Sequence, residues 1–246
     1  MARRSVCASL KDSICMNRPI VESLRGITLV GGGPVSRRDL RASLLRAPCL
    51  VAADGGADRA LAAGLCPEAV IGDFDSISDA ARAAIPAGRL YPIAEQETTD
   101  FDKALRSVVA PFVLALGFSG ARMDHGLAVF NALVQHPARA CLVVGPQDVV
   151  FLCPPKVTLR LRVGDRLSLF PMGPVSGESS GLRWPVKGLE FAPDGRIGTS
   201  NEVSASEVRL AFDVARMLVI LPRARLDAAL AALVPGQRRS DRFGRV

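Results

Sequence analysis

Short apolar runs alternate with helical patterns through the first half of the chain. The first run, Ile27-Thr28-Leu29-Val30, ends in Gly31-Gly32-Gly33. Residues 49–53 lead into a helical stretch at 57–63, residues 69–72 into 78–84 and residues 112–116 into 124–135, with a further run at 140–144. Such alternation predicts a parallel sheet covered by helices. After Pro154-Pro155 the period changes: Val157, Leu159, Leu161 and Val163 alternate with Thr158, Arg160 and Arg162, and Leu167-Ser168-Leu169 continues the period of two. That is the pattern of half-buried antiparallel strands. Turn signals at Gly164-Asp165, Pro193-Asp194-Gly195 and Pro222 divide them, so a small β-sandwich is predicted over 156–222. Leu226, Leu230 and Leu233 mark the inner face of a short amphipathic helix at 225–233.

The expected fold class is α/β: an N-terminal Rossmann-like, mostly parallel sheet with flanking helices over 26–153, then the antiparallel β-sandwich. Residues 1–25 are expected to be a flexible extension, and 223–246 the short helix followed by a disordered tail. The hydrophobic content of 49% over 246 residues suffices for one or two ordinary cores. No apolar run approaches the ~20 residues of a membrane span, so no membrane association is expected. The net charge of +7 changes the picture only until it is located. Residues 1–25 carry five basic and two acidic groups, residues 223–246 six and two, and the body between is formally neutral. A nucleic-acid partner is therefore not expected, since such domains concentrate basic charge on one face.

Six cysteines, Cys7, Cys15, Cys49, Cys66, Cys141 and Cys153, form no Cys-x-x-Cys pair, which points away from zinc and redox chemistry. A reducing, cytoplasmic compartment is expected. The first 22 residues lack the apolar core of a secretory signal, Asp12 and Glu22 speak against a mitochondrial presequence, and Met16 is a candidate alternative start.

The chemistry concentrates where apolar runs end in acids. Ala69-Val70-Ile71-Gly72 runs into Asp73-Phe74-Asp75-Ser76, and in an extended backbone residues i and i+2 share a face. Asp73 and Asp75 then project together from the carboxyl end of a strand, where open α/β sheets bind ligands. Paired carboxylates repel each other unless a cation lies between them, and Mg²⁺ takes carboxylate and phosphate oxygens together. Val51-Ala52-Ala53 likewise ends in Asp54-Gly55-Gly56, where backbone without a Cβ can approach a ligand. Residues 96–105 read as a helix start capped by threonine, with Phe101, Leu105 and Val108 buried and Asp100, Lys103 and Ser107 on the opposite side. Arg122 and Asp124 follow the strand at 112–116 and land on the same rim.

The order Asp-Gly-Gly-Ala (54–57), Gly-Asp-Phe-Asp-Ser (72–76), Thr-Asp-Phe-x-Lys-Ala-Leu (99–105) and Arg-x-Asp-His (122–125) resembles the thiamine pyrophosphokinase family. Gly181-Leu182-Arg183-Trp184 and Thr199-Ser200-Asn201 resemble that family's thiamine-pocket segments. Two positions depart from the usual pattern: Ala121 stands where glycine is common, and Glu97 where aspartate is common.

The resemblance implies transfer of a pyrophosphoryl group from ATP to the thiamine hydroxyl, with AMP released and Mg²⁺ required. It implies that Asp73, Asp75 and Asp100 hold the metal, that Lys103 and Arg122 offset phosphate charge, and that a carboxylate orients or deprotonates the hydroxyl. Asp100 is the first choice for that carboxylate and Asp75 the second, with Asp124 a further acid on the rim. ATP is expected along Gly32, Gly33, Asp54, Gly55, Gly56 and Ser76. Thiamine is expected to meet Gln96 from the first domain and Trp184, Ser200 and Asn201 from the β-domain of a second subunit, making the site shared across a homodimer. On the residues alone Trp184 reads equally as sandwich core and His125 as a helix-start residue. Two rival classes stay open: a haloacid-dehalogenase-type phosphohydrolase using Asp73 as nucleophile, and a non-enzymatic nucleotide or thiamine sensor.

Overall fold

The computed structural model describes residues 19–120 and 122–234. The expectations for residues 1–18, for Ala121 and for the tail at 235–246 lie outside them. Six strands build the parallel half of one large sheet: β2 (Ile27–Val30), β3 (Cys49–Ala53), β4 (Ala69–Gly72), β5 (Leu90–Pro92), β7 (Val113–Leu116) and β8 (Cys141–Val144). Their order is β8-β7-β2-β3-β4-β5, all pairs parallel. Helices α1 (Arg37–Leu44), α2 (Gly56–Ala62), α3 (Asp79–Ala84), α4 (Asp100–Arg106) and α5 (Met123–Gln135) intervene, as parallel strands require crossovers. The chain winds outward from β2 through β3, β4 and β5, then returns to β7 on the other side of β2. That reversal is a topological switch point, and the crevice beyond the carboxyl ends of β2 and β7 is where such sheets bind ligands.

The sheet does not stop at β8. A hairpin leads to β9 (Asp148–Leu152), antiparallel to β8, and β9 continues through β16 (Met217–Pro222) and β11 (Arg166–Pro171) to β14 (Gly198–Glu202). The result is one ten-stranded sheet, parallel at one end and antiparallel at the other. Against its antiparallel end packs a four-stranded sheet of β10 (Lys156–Arg160), β15 (Glu207–Phe212), β12 (Val175–Ser180) and β13 (Glu190–Phe191). Their shared core holds Leu159, Leu167, Leu169, Val208, Leu210, Val219 and Phe151. The alternation at 157–160 thus gives β10 in the outer layer of the sandwich, but it stops there: Val163 lies in a turn and is 65% exposed, while 167–171 belongs to the large sheet. Sequence reading did not include α1, β5 or β9. Of these, α1 carries a legible start in Ser36, whose hydroxyl accepts the Asp39 amide at 3.0 Å.

Two more short strands, β1 (Val21–Glu22) and β6 (Val108–Val109), pair with each other. The last residues of the expected flexible extension are therefore held beside the end of α4. At the other terminus α6 (Leu226–Leu233) buries Ala229 completely, with Leu226, Leu230 and Leu233 packed more loosely around it. Among the described residues no helix is long and apolar enough to cross a membrane.

The segment entering α6 is tied to distant parts of the fold by arginine–carboxylate pairs. Arg225 binds both oxygens of Asp165, Arg223 binds Asp39 of α1, and Arg46 binds Asp227 through two bonds of 2.6 and 3.0 Å. Asp165 and Arg225 are only 11% and 17% exposed, whereas Arg46 and Asp227 are 32% and 45% exposed. We expect Arg225→Met to cost about 1–3 kcal/mol, because it strands a largely buried carboxylate, and Arg46→Met less than about 1 kcal/mol. Hydrogen bonds from Arg225 and Arg223 hold Asp165 and Asp39 below the usual carboxylate value of 3.8. Because their folded pKa values are depressed, this stabilisation is present above that value and is lost as pH falls through the folded ones. Thermal melts of Arg225→Met and wild type should converge under acid conditions.

Candidate active site

The carboxylates come together, but not as an extended strand would bring them. Strand β4 ends at Gly72, and Phe74 has a left-handed φ of 67°. Asp73 and Asp75 lie in a turn in which the Asp75 amide donates to Asp73 Oδ1 at 3.3 Å, an Asx-type closure. Asp54, at the end of β3, also has positive φ (42°) and is 2% exposed. Its two oxygens accept the amides of Ser76 (2.9 Å) and Ile77 (3.2 Å), which clamps the turn after β4 onto the turn after β3. Asp100 enters from α4, whose first turn is capped by Thr99 Oγ1 accepting the Asp102 amide at 3.4 Å. One oxygen from each of Asp54, Asp73, Asp75 and Asp100 lies within 4.8 Å of the others.

Glycine makes this closeness possible. A Cβ on Gly72 would stand 2.8 Å from Asp54 Cβ and 3.1 Å from Asp100 Oδ1, so a side chain there would push the acids apart. A Cβ on Gly56 would stand 2.0 Å from the Val30 carbonyl, so only glycine lets α2 begin against the end of β2. Among the described residues the three non-glycine residues of positive φ, Asp54, Phe74 and Ser200, all lie in the candidate-site segments, the kind of place where backbone strain collects.

Lys103 is 1% exposed and does not share a solvated face with Ser107, as helix periodicity suggested. Its ammonium donates to Asp73 Oδ2 at 2.8 Å and Asp100 Oδ1 at 3.1 Å. Burial works to lower its pKa, but the two carboxylates outweigh burial and the pKa is raised. The Lys103 hydrogen bond in turn holds Asp73 below its ordinary value. Asp54 goes the other way: burial, with the charges of Asp75 and Asp100 beside it, pushes it up to about 6 despite the Ser76 amide. Four carboxylates sharing one ammonium leave the cluster short of positive charge. Hard oxygen donors in that state fit a divalent cation such as Mg²⁺.

A cavity of about 430 Å³ opens at the switch point and reaches the cluster through Asp54 and Asp100, while Asp73 and Asp75 stand outside its lining. Gly31, Gly32 and Gly33 after β2, Asp54 and Gly55 after β3, Ser76, Asp100, and Gly117 and Phe118 after β7 line it. Arg122 and His125 reach its wall, although Arg122 pairs with Asp124 at 2.6 Å and both are about two-thirds exposed. Asp124 is outside the group of four. Sequence reading missed Arg59, which also lines the cavity and donates from Nε to the Gly32 carbonyl at 3.0 Å, and Asp58, which accepts the Ser78 amide at 3.1 Å. Both sit on α2 directly after the Asp-Gly-Gly turn, which was the available signal. Gln96 donates to Asp73 Oδ2 at 3.3 Å.

The remaining expected residues stand elsewhere. Trp184 is 53% exposed, so it is not core, and the Arg183 guanidinium lies 4.9 Å from its ring centroid. Asn201, 8% exposed, accepts the Trp184 amide at 3.2 Å and donates to the Trp184 carbonyl at 2.7 Å. Asn201 thus fixes the backbone that presents the indole. Ser200 is held by its amide, which donates to Ser168 Oγ at 2.9 Å.

Comparison with known proteins agrees with this layout. The family model described as thiamin pyrophosphokinase, catalytic domain, matches residues 40–144, and that described as thiamin pyrophosphokinase, vitamin B1 binding domain, matches residues 156–216. Thiamine pyrophosphokinase 1 of Oryza sativa subsp. japonica is 26% identical over 166 residues, covering 60% of this chain; the chain spans 63% of that relative's length. Thiamine pyrophosphokinase of Bacillus subtilis (strain 168) is 27% identical over 214 residues, 81% of this chain and 99% of that one. The solved structure of thiamin pyrophosphokinase from Candida albicans shares the fold, with a TM-score of 0.69 over 86% of this chain and 96% of that chain at 16% identity. Two family models covering both halves, in the order in which the sheet is built, establish that the chain belongs to the thiamin pyrophosphokinase family.

Proposed function

We propose that the protein transfers a pyrophosphoryl group from ATP to the hydroxyl of thiamine, giving thiamine diphosphate and AMP. The observation that carries this reading is the convergence of Asp54, Asp73, Asp75 and Asp100, of which Asp54 and Asp100 line a cavity together with the glycine turns at the switch point of the sheet. Glycine turns after β2 and β3 offer unobstructed backbone to a polyphosphate. Asp73, Asp75 and Asp100, with Asp54 behind them, would hold Mg²⁺, which supplies charge neutralisation on the transferring phosphates. Lys103 fixes the orientation of Asp73 and Asp100, while Arg122 stands at the wall where it can swing from Asp124 to a phosphate. Asp100 remains the first choice to orient the thiamine hydroxyl, with Asp75 second.

Ser200 and Asn201 are part of β14, Trp184 is hydrogen-bonded to Asn201 beside it, and Asp73 follows β4. Those strands are eight steps apart in the ten-stranded order, which at ~4.8 Å per step is a path of roughly 38 Å along the sheet. A thiamine molecule cannot bridge that span, which supports a homodimer in which the sandwich of one subunit faces the acidic cluster of the other. A cytoplasmic location, no membrane and no nucleic-acid partner complete the reading. Measuring AMP release from ATP with and without thiamine tests it. We expect AMP only with both substrates and a divalent cation. AMP or phosphate without thiamine would favour a hydrolase, and no turnover at all would favour a sensor.

A further inference from the structure

The segment between β5 and α4 carries Gln96, and something must hold it against the acidic cluster. Its own hydrogen bonds show how. Thr98 Oγ1 donates to Glu95, folding 95–98 into a turn, and Arg106 Nη2 donates to Glu95 Oε1 at 2.9 Å. The hydrogen bond from Thr98, and then that from Arg106, keep Glu95 below its ordinary carboxylate value. Arg106 also lies 3.6 Å from Asp102 Oδ2, and the other Asp102 oxygen meets His136 Nε2, at the end of α5, at 2.7 Å. Asp102 is 13% exposed and His136 25%, so this end of the network is set into the body of the protein. The chain of contacts runs from α5 through α4 to the turn at 95–98.

On the other side of the same turn, Gln96 and Lys103 converge on one atom, Asp73 Oδ2, at 3.3 and 2.8 Å. Lys103 and Arg106 are three residues apart on α4, neighbours on the helix surface, so α4 holds Asp73 directly with one side chain and holds the Gln96 segment with the other. We propose that Arg106 is a positioning residue: by anchoring Glu95 to α4 it sets where Gln96 stands relative to Asp73, and so shapes the thiamine side of the site. It acts through Gln96 and touches neither substrate. The proposal rests on the pyrophosphokinase reading for its substrate, and on the hydrogen-bond geometry alone for the anchoring.

The test uses the full chain with Arg106→Ala, Arg106→Lys, Glu95→Gln and the Arg106→Ala/Glu95→Gln pair. Arg106→Ala should raise the thiamine KM by roughly five- to tenfold and leave the ATP KM within about twofold, the scale expected of a partly exposed ion pair that orients a loop. Arg106→Lys should recover part of the loss, and the pair should be no worse than the worse single change, since both break one link. Amide hydrogen exchange of the substrate-free protein should quicken at 95–99 in Arg106→Ala and stay unchanged in β4. A thiamine KM unaltered in Arg106→Ala, or both KM values rising together with a fall in Tm, overturns the positioning role while leaving the proposed reaction standing. Should wild type release no thiamine-dependent AMP, the proposed reaction fails; the exchange comparison then decides, and unchanged exchange at 95–99 overturns the anchoring itself.

Discussion

Asp73→Asn and Asp75→Asn should each lower turnover on the order of a thousandfold or more while leaving the fold intact. The fold should survive because neither carboxylate is a structural keystone. Asp75 is exposed, and its partner is the Ser76 hydroxyl at 2.8 Å, which an amide oxygen accepts equally well. Asp73 accepts from Lys103 and Gln96 at one oxygen, where an asparagine carbonyl can take its place with Asp100 still beside the ammonium, and the substitution gives up only the 3.3 Å bond from the Asp75 amide to the other oxygen. Removing the Asp75 charge also relieves repulsion, which together with burial drives Asp54 up to about 6. What the substitution removes is charge for a cation, and the proposed reaction gives the phosphates no other neutralising partner of that strength. The check pairs steady-state AMP release with a thermal melt. Half of wild-type turnover in either variant, with Tm within a few degrees, would remove the acids from the reaction.

Much of this site was legible because its residues follow strands. An apolar run that ends in Asp-Gly-Gly or Gly-Asp-x-Asp announces both the strand and the rim on which its acid stands, and Thr99 announces the start of α4. The reason given for the Asp73–Asp75 pairing was nevertheless incomplete. The two converge through a turn with left-handed Phe74, not through strand periodicity. Lys103 was misplaced for a related reason. Helix periodicity sorts side chains by face but says nothing about a pair of carboxylates, one of them 30 residues away, that can draw an ammonium inward. Five of the six parallel strands were visible as continuous apolar runs, whereas β5, Leu-Tyr-Pro at the edge, was not. The sheet's continuation through β9 into the sandwich was not visible either, because Val149-Val150-Phe151 fits either half and only pairing with β16, some 70 residues on, decides. Arg106, Glu95 and Arg59 share this character: each reads as a solvated charge until its partner is known.

Trp184 carries the last expectation, because it decides whether the sandwich is a wall of the site or only its neighbour. An indole 53% exposed, presented by a side chain that grips its backbone at both amide and carbonyl, costs little stability to remove. Trp184→Ala should therefore leave Tm nearly unchanged and raise the thiamine KM by an amount worth about 1–3 kcal/mol, the scale of a base stacked on an aromatic ring. Trp184→Phe should fall between, keeping a stacking face of smaller area. The ATP KM should hardly move, since the proposed nucleotide site lies toward the other end of the sheet. A stricter form mixes Asp73→Asn subunits with Trp184→Ala subunits at low thiamine, where each alone is nearly silent. In a two-fold dimer whose sites each draw the cluster from one subunit and the sandwich from the other, a hybrid has one site with both parts intact and one with both damaged. Random exchange makes half the dimers hybrid, so about a quarter of wild-type activity should return. If exchange is verified by mass and activity stays at the level of the separate variants, the sandwich of each chain serves its own cluster, and the roughly 38 Å between β14 and β4 must be closed by bending of the sheet within one chain.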